Sequence, residues 1–419
     1  MKRKEHKKTV YDVFIERGFV EQVTDEKMIP EILEGRATCY IGFDPTASSF
    51  HVGNLVPIMS LAHMQKHGHR PIALVGGGTG LVGDPSGKDE MRQILTYETI
   101  NQNADAQKKQ FSRFLNFSEG QALLLNNADW LTRLNYVDFL RDIGVHFSVN
   151  RMLATESIKT RLEAGLSFIE FNYQLLQAYD FWHLFKNYDC VIQMGGSDQW
   201  GNIVAGTDLI RRMEGKQAYG MTFPLIMTAD GRKMGKTEKG AVWLDSQRTS
   251  PYEYYQFWIN TDDRDVERFL ALFTFLPMEE VRKYGKLEGA EIRKAKEVLA
   301  FEATKIVHGE EEAIKARDAS RVLFSKEAGD EASIPTTSID REKISKGIPV
   351  FKLFEITALC SSGSEARRLI EQGGGYLDGK RLEDPGLVIT INDFEGSHTI
   401  QLTAGKKKFH RIKLLDKNE

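Results

Sequence analysis

This sequence of 419 residues has few cysteines, a small net charge and no long apolar run. The three cysteines are odd in number and far apart, which excludes a disulfide-rich secreted scaffold and suits a reducing cytoplasm. A net charge of -3 with 10% aromatic residues excludes a disordered chain and provides no overall positive field for nucleic acids. No apolar run approaches the ~20 residues that span a bilayer, and no apolar segment follows the basic start. We therefore expect a cytoplasmic protein with neither a membrane span nor a secretory signal.

Strand and helix signals alternate through the first half of the chain. Apolar, β-rich runs at residues 37–43 and 71–75 flank a helical pattern, and this β-α-β order predicts a parallel sheet. A further strand is expected at 191–194. Other helical patterns lie at 98–114, 128–142, 153–161 and 208–213. The fold class we expect is α/β, with a doubly wound parallel sheet.

The second half changes character at Ser250 and Pro251, an N-cap and first-turn pair that predicts the start of an all-helical region. Polar residues with interspersed glycine and proline then indicate a linker before a small module of helices and strands. The helical patterns of this half lie at 264–275, 290–308 and 310–324. The domains we expect are a helical arm at 1–36, a sheet domain at 37–249, a helical domain at 250–325, a linker at 326–345 and a small α+β domain at 346–419.

The first candidate site joins the first strand to a helix, in the sequence DPTASSFHVGN at 44–54. A helix N-terminus favours phosphate, and Gly53 lets a ligand lie close to the backbone. His51 and Asn54 are three residues apart and share one face, so with the Thr46 hydroxyl they could stabilise charge on phosphate oxygens. The alternative is an ordinary N-cap with a surface histidine.

A glycine-dense turn follows the second strand at 76–83 and formally matches the dinucleotide fingerprint G-x-G-x-x-G. That fingerprint opens a helix directly, whereas DPSG intervenes here at 84–87, so NAD binding is disfavoured. The turn still brings the backbone close to a ligand. Asp84 at its rim could bind an ammonium group, or it could simply cap the turn.

Three later segments display polar side chains. Tyr173, Gln177 and Asp180 share one helix face, which could bind a small polar ligand or face solvent. GGSDQWGN at 195–202 follows a strand, where a carboxylate often binds ribose, although a tight glycine turn is the alternative. The loop GRKMGKT at 231–237 is either a solvated basic loop or a mobile lid over phosphates.

Taken in order, these motifs resemble the class I aminoacyl-tRNA synthetases, and most closely the bacterial tyrosyl-tRNA synthetases. HVGN at 51–54 is similar to the family's HIGH motif, and KMGKT at 233–237 is similar to its KMSKS motif. YIGFDPT at 40–46, GDPSGK at 83–88 and GGSDQWG at 195–201 extend the resemblance over essentially the whole chain. It implies a Rossmann-like catalytic domain, a helical domain on the anticodon side and a C-terminal S4-like RNA-binding domain.

The resemblance also implies a role for each matching residue. Tyr40 and Asp180 would bind the phenolic hydroxyl of L-tyrosine. The residues implied at its ammonium and carboxylate groups are Asp84, Tyr173, Gln177 and Gln199. The residues implied to bind ATP are Asp44, Gly53, Gly196, Asp198 and Lys236, with Asp198 at the ribose. Those implied at the ATP phosphates are Thr46, His51, Asn54, Lys88, Arg92, Lys233, Lys236 and Thr237.

Three positions depart from the family pattern. Asn54 stands where the pattern has its second histidine, and an amide can still donate a hydrogen bond. Gly235 replaces the serine of KMSKS and leaves both lysines in place. Ile41 stands where relatives often have cysteine, so one ribose contact is expected to be missing.

The C-terminal segment is the relatively basic part of the chain. From Ser345 onward it has 12 Lys/Arg against 10 Asp/Glu, a balance of 12 - 10 = +2. Basic side chains supply phosphate contacts, although a solvated charged face is the alternative. The candidate contacts to tRNA(Tyr) are Arg367, Arg368, Lys406, Lys407, Lys408 and Arg411. The resemblance further implies a homodimer, with Phe139, Leu140, Ile143 and Phe147 as a candidate interface, and Mg²⁺ that accompanies ATP without a metal held by the protein.

Two other functions are open at the level of sequence. The related tryptophan enzyme has a similar architecture, but Tyr40 with Asp180 suits a phenol. An RNA-binding protein without catalysis would use only the C-terminal module, and the presence of His51, Lys233 and Lys236 argues against it.

Overall fold

The structure is a computed structural model that describes residues 8–86, 95–155, 158–159, 162, 165–231, 234–237, 240–325, 335–394, 398–405 and 408–415. The chain divides into two compact units, Met1–Ala313 and Ile314–Glu419. Within the described ranges, no helix is both long enough and apolar enough to cross a membrane.

A six-stranded sheet forms the centre of the first unit. Its strands are β1 (Gln22–Val23), β2 (Thr38–Phe43), β3 (Arg70–Val75), β4 (Leu123–Asn126), β5 (Cys190–Gly196) and β6 (Tyr219–Phe223). Their order across the sheet is β1-β6-β5-β2-β3-β4. Every neighbouring pair is parallel except β1 with β6, which is antiparallel. The predicted parallel sheet is confirmed, and β2 and β3 lie side by side as the β-α-β reading requires.

Helices cover this sheet and continue into the helical region. They are α1 (Val10–Arg17), α2 (Met28–Ile32), α3 (Leu55–Lys66), α4 (Tyr97–Phe111), α5 (Ala128–Leu131), α6 (Tyr136–Asp142), α7 (Val149–Leu153), α8 (Phe168–Tyr188), α9 (Trp200–Glu214), α10 (Pro251–Ile259), α11 (Val266–Phe273), α12 (Met278–Gly285) and α13 (Ile292–His308), with α14 (Glu310–Ser325) across the boundary between the units. A two-stranded hairpin of β7 (Lys236–Thr237) and β8 (Gly240–Ala241) lies between β6 and α10.

Local sequence explains where two functionally important helices begin. The Ser167 side chain accepts the N–H of Glu170, whose side chain returns to the Ser167 backbone, so a capping box starts α8. Ser250 and Glu253 form the same arrangement at α10, with Pro251 in its first turn. The predicted start of the helical region at Ser250 is therefore confirmed.

The helix expected over 128–142 is wrong as a single element, because the structure has two helices there. The first helix, α5, ends at Leu131, and Asn135 caps the second: its side chain accepts the N–H groups of Val137 and Asp138 at the start of α6. The pattern at 208–213 is the last part of the longer helix α9. In the range 153–161, which the sequence predicts to be helical, α7 ends at Leu153 and residues 158–159 are helical, while 156–157 and 160–161 lie outside the described residues.

The second unit has its own five-stranded sheet, in the order β12-β11-β14-β15-β9. The elements of this unit are β9 (Thr336–Asp340), α15 (Arg341–Ser345), β10 (Ile348–Pro349), α16 (Val350–Ile356), α17 (Gly363–Glu371), β11 (Gly375–Leu377), β12 (Lys380–Arg381), β13 (Val388–Ile389), β14 (Thr399–Ala404) and β15 (Lys408–Leu415). They enclose a separate apolar core that includes Leu353, Phe354 and Leu402.

The reading of 326–345 as a linker does not describe its second half. β9 pairs in parallel with β15, and α15 follows it directly. The β-branched residues Thr336, Thr337 and Ile339 favour a strand, and burial of Ile339 and Ile344 in the C-terminal core stabilises it. The remaining domain boundaries stay predictions.

Candidate active site

The candidate site lies where the order of the parallel strands reverses. From β2 the chain first adds β3 and β4 on one side, and β5 then pairs with the other edge of β2. Ligands of such sheets bind outside the carboxyl ends of the strands at this point. Asp44 follows the end of β2, and Asp198 follows the end of β5. The topology therefore brings the two predicted ATP-side carboxylates to the same edge.

Tyr40 supplies a buried hydroxyl with no hydrogen-bond partner among the described residues. Its side chain is 1% exposed and its ring lies 5.4 Å from that of Phe181. Burial, and then the charge of Asp180, raises the pKa of Tyr40 well above its ordinary value. An unsatisfied buried hydroxyl is costly, so this atom points to a ligand group that completes its hydrogen bonding.

Asp180 lies near Tyr40 and is held by two donors. Asn127 Nδ2 donates to Oδ2 at 2.8 Å, and Trp130 Nε1 donates to Oδ1 at 2.7 Å. Burial is the largest influence on the pKa of Asp180 and raises it, these two hydrogen bonds lower it, the charge of Asp44 raises it, and the resulting pKa is about 7. The carboxylate is therefore oriented by the protein but remains close to protonation.

A second group of side chains surrounds Asp84, which is 8% exposed. Gln199 Nε2 donates to Asp84 Oδ2 at 2.7 Å and to Asp198 Oδ2 at 3.2 Å. Asn202 Nδ2 donates to Oε1 of Gln199 at 3.1 Å and to Oε1 of Gln177 at 3.2 Å. Burial, and then the charge of Asp44, raises the pKa of Asp84 to about 6. The network thus joins four predicted site residues through amide bridges.

Asp44 connects this region to the helix that carries Tyr173. The Tyr173 hydroxyl donates to Asp44 Oδ2 at 3.2 Å, and the Thr79 hydroxyl donates to Oδ1 at 3.0 Å. A Cβ atom on Gly76 would lie 2.3 Å from Asp44 Oδ1, so glycine is needed for the carboxylate to occupy this position. The expected common face of Tyr173, Gln177 and Asp180 on α8 therefore does reach the sheet edge.

His51 and Asn54 cap the short 3₁₀ turn Val52–Asn54 that precedes α3. The His51 N–H donates to Asn54 Oδ1 at 3.0 Å, and the Gly53 N–H donates to His51 Nδ1 at 3.0 Å. Thr46 lies at the exposed end of the same loop. The asparagine that replaces the family's second histidine thus has a structural contact of its own.

The two signature segments touch through glycine. Gly235 has φ +79°, and a Cβ atom there would lie 2.7 Å from the backbone nitrogen of Gly53. The conformation and the close approach both favour glycine, which accounts for the departure from the serine of KMSKS. Ile41, the third departure, is buried in β2.

Gly196 and Asp198 form the end of the site next to β5. A Cβ atom on Gly196 would lie 2.5 Å from Asp198 Oδ1 and 3.4 Å from Leu225 Cδ2. Leu225 is 54% exposed, so an apolar surface lies beside the carboxylate expected at the ribose. This combination suits a nucleoside, with its apolar base next to its polar sugar.

Several predicted residues cannot be placed. Lys88, Arg92 and Lys233 lie outside the described residues. Lys236 and Thr237 are described only through their backbone, as strand β7. Among the groups that are described, no cluster of three or more His, Cys, Asp or Glu side chains could hold a metal ion.

The predicted RNA-binding residues belong to the second unit. Arg367 and Arg368 are exposed on α17, and the Arg367 guanidinium lies 4.0 Å from the Phe351 ring centroid. Hydrogen bonds from Ser361, and then the charges of Lys408 and Arg368, lower the pKa of Glu365, so both cations lie near this carboxylate. Arg411 is half-buried on β15, whereas Lys406 and Lys407 lie outside the described residues.

Comparison with known proteins decides the family. A family model described as tRNA synthetases class I (W and Y) matches residues 33–325. The tyrosine–tRNA ligase of Syntrophus aciditrophicus is 58% identical over 424 residues, which cover 97% of this chain and 99% of that protein. The chain belongs to the tyrosine–tRNA ligase family of class I synthetases. The ligase of Caldanaerobacter subterraneus subsp. tengcongensis is 56% identical over 405 residues, covering 96% of this chain and 99% of its own.

Solved structures agree on the fold of this synthetase. A C-terminally truncated mitochondrial tyrosyl-tRNA synthetase from Aspergillus nidulans is 32% identical and superposes with a TM-score of 0.69, covering 76% of this chain and 95% of that one. The tyrosyl-tRNA synthetase of Archaeoglobus fulgidus, solved with L-tyrosine, is 18% identical with a TM-score of 0.57 and shares the fold. It covers 74% of this chain and 99% of its own.

Sequence reasoning missed four side chains of this site. Asn127 and Trp130 follow the apolar strand β4, and the rule that polar residues after a buried strand reach the sheet edge could have identified them. Asn202 lies three residues after Gln199, one turn along α9, which is the spacing that predicts their contact. Thr79 had no signal in the sequence, because only the three-dimensional turn brings it to Asp44.

A cavity of about 800 Å³ lies outside the residues expected to bind ligands. It is lined by parts of α7 and α9, including Arg151, Asp208 and Arg211. Arg211 and Arg212 both pair with Asp208, and Arg151 lies 3.9 Å from the same carboxylate. None of the predicted tyrosine or ATP residues lines this cavity.

Proposed function

We propose that this chain activates L-tyrosine with ATP to form tyrosyl-adenylate and pyrophosphate, and then transfers the tyrosyl group to the 3′ end of tRNA(Tyr). The observation that carries the assignment is the pair of Tyr40 and Asp180 at the switch point of the sheet. A buried hydroxyl without a partner next to an oriented carboxylate suits one phenolic hydroxyl, which can donate to the carboxylate and accept from Tyr40.

Selectivity against phenylalanine follows from the same pair. Phenylalanine fills the pocket but lacks the hydroxyl, so it would leave Tyr40 and Asp180 buried without their partner. Asp180 accepts most strongly from the phenol when it is ionised, and the hydrogen bonds from Asn127 and Trp130 lower its pKa, which is about 7. These two donors therefore support recognition of the substrate hydroxyl.

We assign the ammonium group of tyrosine to the region of Asp84, Tyr173 and Gln177. An ammonium is a donor of three hydrogen bonds, and a carboxylate with amide and phenol oxygens supplies acceptors of the matching type. Its positive charge also favours ionisation of Asp84, whose pKa is raised to about 6 in the free protein. Gln199, which bridges Asp84 and Asp198, then lies between the tyrosine and ATP sides.

For ATP we propose that Asp198 binds the ribose, with Asp44 and Gly196 beside it and Leu225 against the base. Gly53 lets the phosphates approach the backbone near His51 and Asn54. The phosphate group also includes Thr46, Lys88, Arg92, Lys233, Lys236 and Thr237. Mg²⁺ accompanies ATP through its phosphate oxygens, and we assign no protein ligand to it.

The first step needs no catalytic base. The tyrosine carboxylate is already an ionised nucleophile: one of its oxygens forms a bond to the α-phosphorus as the bond to pyrophosphate breaks. The protein contributes by holding the two reactants in line and by stabilising charge on the phosphate oxygens. In the second step a ribose hydroxyl at the tRNA 3′ end takes the tyrosyl group and AMP leaves.

The decisive experiment is ATP–pyrophosphate exchange with each of the twenty amino acids. We expect exchange with tyrosine and none above background with phenylalanine or tryptophan. Exchange driven by tryptophan would show that the chain activates tryptophan instead. The absence of exchange with every amino acid would refute the catalytic assignment.

We further propose that the chain forms a homodimer through the surface of α6, the following turn and α7. Tyr136, Val137, Val145 and Val149 are all at least 57% exposed there, and Leu140 is 40% exposed. Contiguous exposed apolar surface of this kind is typical of an interface. Of the interface residues expected from sequence, Phe139 and Phe147 pack against a small core cluster and Ile143 is buried within it.

The tRNA-binding role is assigned to the second unit. Arg367 and Arg368 lie on the exposed face of α17, and Arg368 and Lys408 both lie near Glu365. Cations clustered on a small α+β fold supply phosphate contacts, which agrees with an S4-like RNA-binding domain. The remaining candidates are Lys406, Lys407 and Arg411. The three cysteines are free and buried, which suits a reducing compartment, and we propose that the protein works in the cytoplasm.

A further inference from the structure

The segment that follows the KMGKT hairpin connects both signature motifs through its backbone. The Val52 N–H donates to the Val242 carbonyl at 2.9 Å, and the Leu244 N–H donates to the Phe50 carbonyl at 2.8 Å. On its other side, the Val242 N–H donates to the Gly235 carbonyl at 2.9 Å. Residues 242–244 therefore lie between the HVGN segment and the hairpin that carries the second motif.

This pairing places Trp243 directly opposite His51. The two residues form an antiparallel bridge, flanked on both sides by the hydrogen bonds just described. In such a pair the opposed side chains lie on the same face and at their closest approach. The imidazole and indole rings are 5.9 Å apart at 77°, an edge-to-face contact.

The Trp243 side chain is also contacted by Arg248. The Arg248 guanidinium carbon lies 3.3 Å from the centroid of the Trp243 ring, a close cation–π stack. The backbone N–H of Trp243 donates to the Thr249 hydroxyl at 3.0 Å, and the backbone N–H groups of Arg248 and Thr249 both donate to the Asp245 carbonyl. The turn at 245–249 therefore fixes the indole ring.

The orientation of the His51 ring matters because only one of its nitrogens can serve a ligand as donor. Nδ1 accepts the Gly53 N–H, so the neutral imidazole carries its proton on Nε2. A rotation of the ring would break the bond to Gly53 and turn Nε2–H away. The contact with Trp243 opposes that rotation.

We propose that Trp243, backed by Arg248, is a positioning residue for His51: it holds the imidazole so that Nε2–H faces the ATP phosphates during tyrosine activation. This proposal rests on the proposed function, in which His51 binds phosphate. Because residues 242–244 also bond to Gly235, the same element keeps His51 in register with the loop that carries Lys236.

Single-turnover formation of tyrosyl-adenylate by the full-length protein tests the proposal. We expect Trp243→Ala to lower the rate constant by about 10- to 100-fold, the range expected when a catalytic group is misplaced by about 1 Å. Trp243→Phe keeps an aromatic ring at this position and should recover most of the rate. The affinity for tyrosine, measured by equilibrium binding without ATP, should stay unchanged in both variants.

A double-mutant cycle with His51→Ala separates positioning from a general structural effect. If Trp243 acts through His51, adding Trp243→Ala to His51→Ala should cause little further loss. The exposed Arg248→Ala variant removes only the stack and should show the same coupling, with a smaller loss, even if Trp243→Ala folds poorly. Full additivity in the cycle would overturn the proposal and leave the proposed function intact. An unchanged rate in His51→Ala would overturn it too, because His51 would then play no part in activation, whereas the absence of adenylate formation by the wild type would overturn the proposed function.

Discussion

The side-chain amide of Asn127 donates a 2.8 Å hydrogen bond to Oδ2 of Asp180, the carboxylate assigned to the substrate phenol. Burial raises the pKa of Asp180 and this bond lowers it, and with all its surroundings included the pKa is about 7. The ionisation of Asp180 at neutral pH therefore depends on a residue from the loop after β4, far away in sequence.

We expect Asn127→Ala to weaken tyrosine recognition. Loss of the hydrogen bond should raise the pKa of Asp180, so less of the carboxylate is ionised at pH 7. A hydrogen bond to a charged group is worth roughly 1.5–3 kcal/mol, so the KM for tyrosine should rise by about 10- to 100-fold. Pyrophosphate exchange at several pH values between 6 and 9 measures this. The defect should lessen at higher pH, and Asn116→Ala, whose hydrogen bonds lie on the surface, should behave like the wild type.

Replacement of Asp180 should stabilise the free protein at neutral pH. The pKa of Asp180 is about 7 in the folded protein and near 3.8 in the unfolded chain, so its stabilising contribution is complete below about pH 4 and is lost as the pH rises to 7. Asp180→Asn removes this titration. We expect the variant to gain roughly 2–4 kcal/mol over the wild type between pH 4 and pH 8, at about 1.4 kcal/mol per pKa unit. Urea unfolding without tyrosine checks it, and a difference that does not change with pH would contradict the assignment.

Gly235→Ala should impair adenylate formation because it introduces a Cβ atom 2.7 Å from the backbone nitrogen of Gly53. The hairpin would have to shift away from the HVGN turn, and we expect a fall in kcat of about tenfold or more. Gly240→Ala is the matched control: Gly240 also has a positive φ, but nothing lies within 4 Å of a Cβ atom there. Equal losses in both variants would mean that backbone strain, and not the contact with Gly53, limits the reaction.

Val137→Asp tests the proposed dimer. Val137 is 70% exposed on the apolar surface of α6, and a charge there would be buried without a partner in an interface. Sedimentation velocity should show the wild type at twice 47.6 kDa and the variant at the monomer mass. Val388→Asp is the control: it places the same charge at an exposed valine of the second unit and should leave the dimer intact. A monomeric wild type would reject the interface.

Reversal of charge at Arg368 and Lys408 should weaken tRNA charging but spare activation. Both residues lie near Glu365 on the second unit, whereas the activation site is built from the first. We expect pyrophosphate exchange at the wild-type rate and a large rise in the KM for tRNA, with a shallower salt dependence of tRNA binding. Unchanged charging would show that this surface does not contact tRNA.

The sequence by itself determined the parallel sheet, the identity of the motifs and the face of α8. These follow from local rules: apolar runs form buried strands, glycine marks close approach, and residues three or four apart share a helix face. The start of a helix at Ser250 could be predicted for the same reason, since capping depends only on neighbouring residues.

Tertiary structure decided the rest. Periodicity alone predicted one helix over 128–142, whereas the first helix ends at Leu131 and the side chain of Asn135 caps a second by accepting the N–H groups of Val137 and Asp138. The strand β9 lies within the range 326–345 that was expected to be a linker, and its pairing with β15 stabilises it. Asn127 reached Asp180 and Trp243 reached His51 only through strand order and hairpin pairing, and no spacing along the chain encodes such long-range contacts.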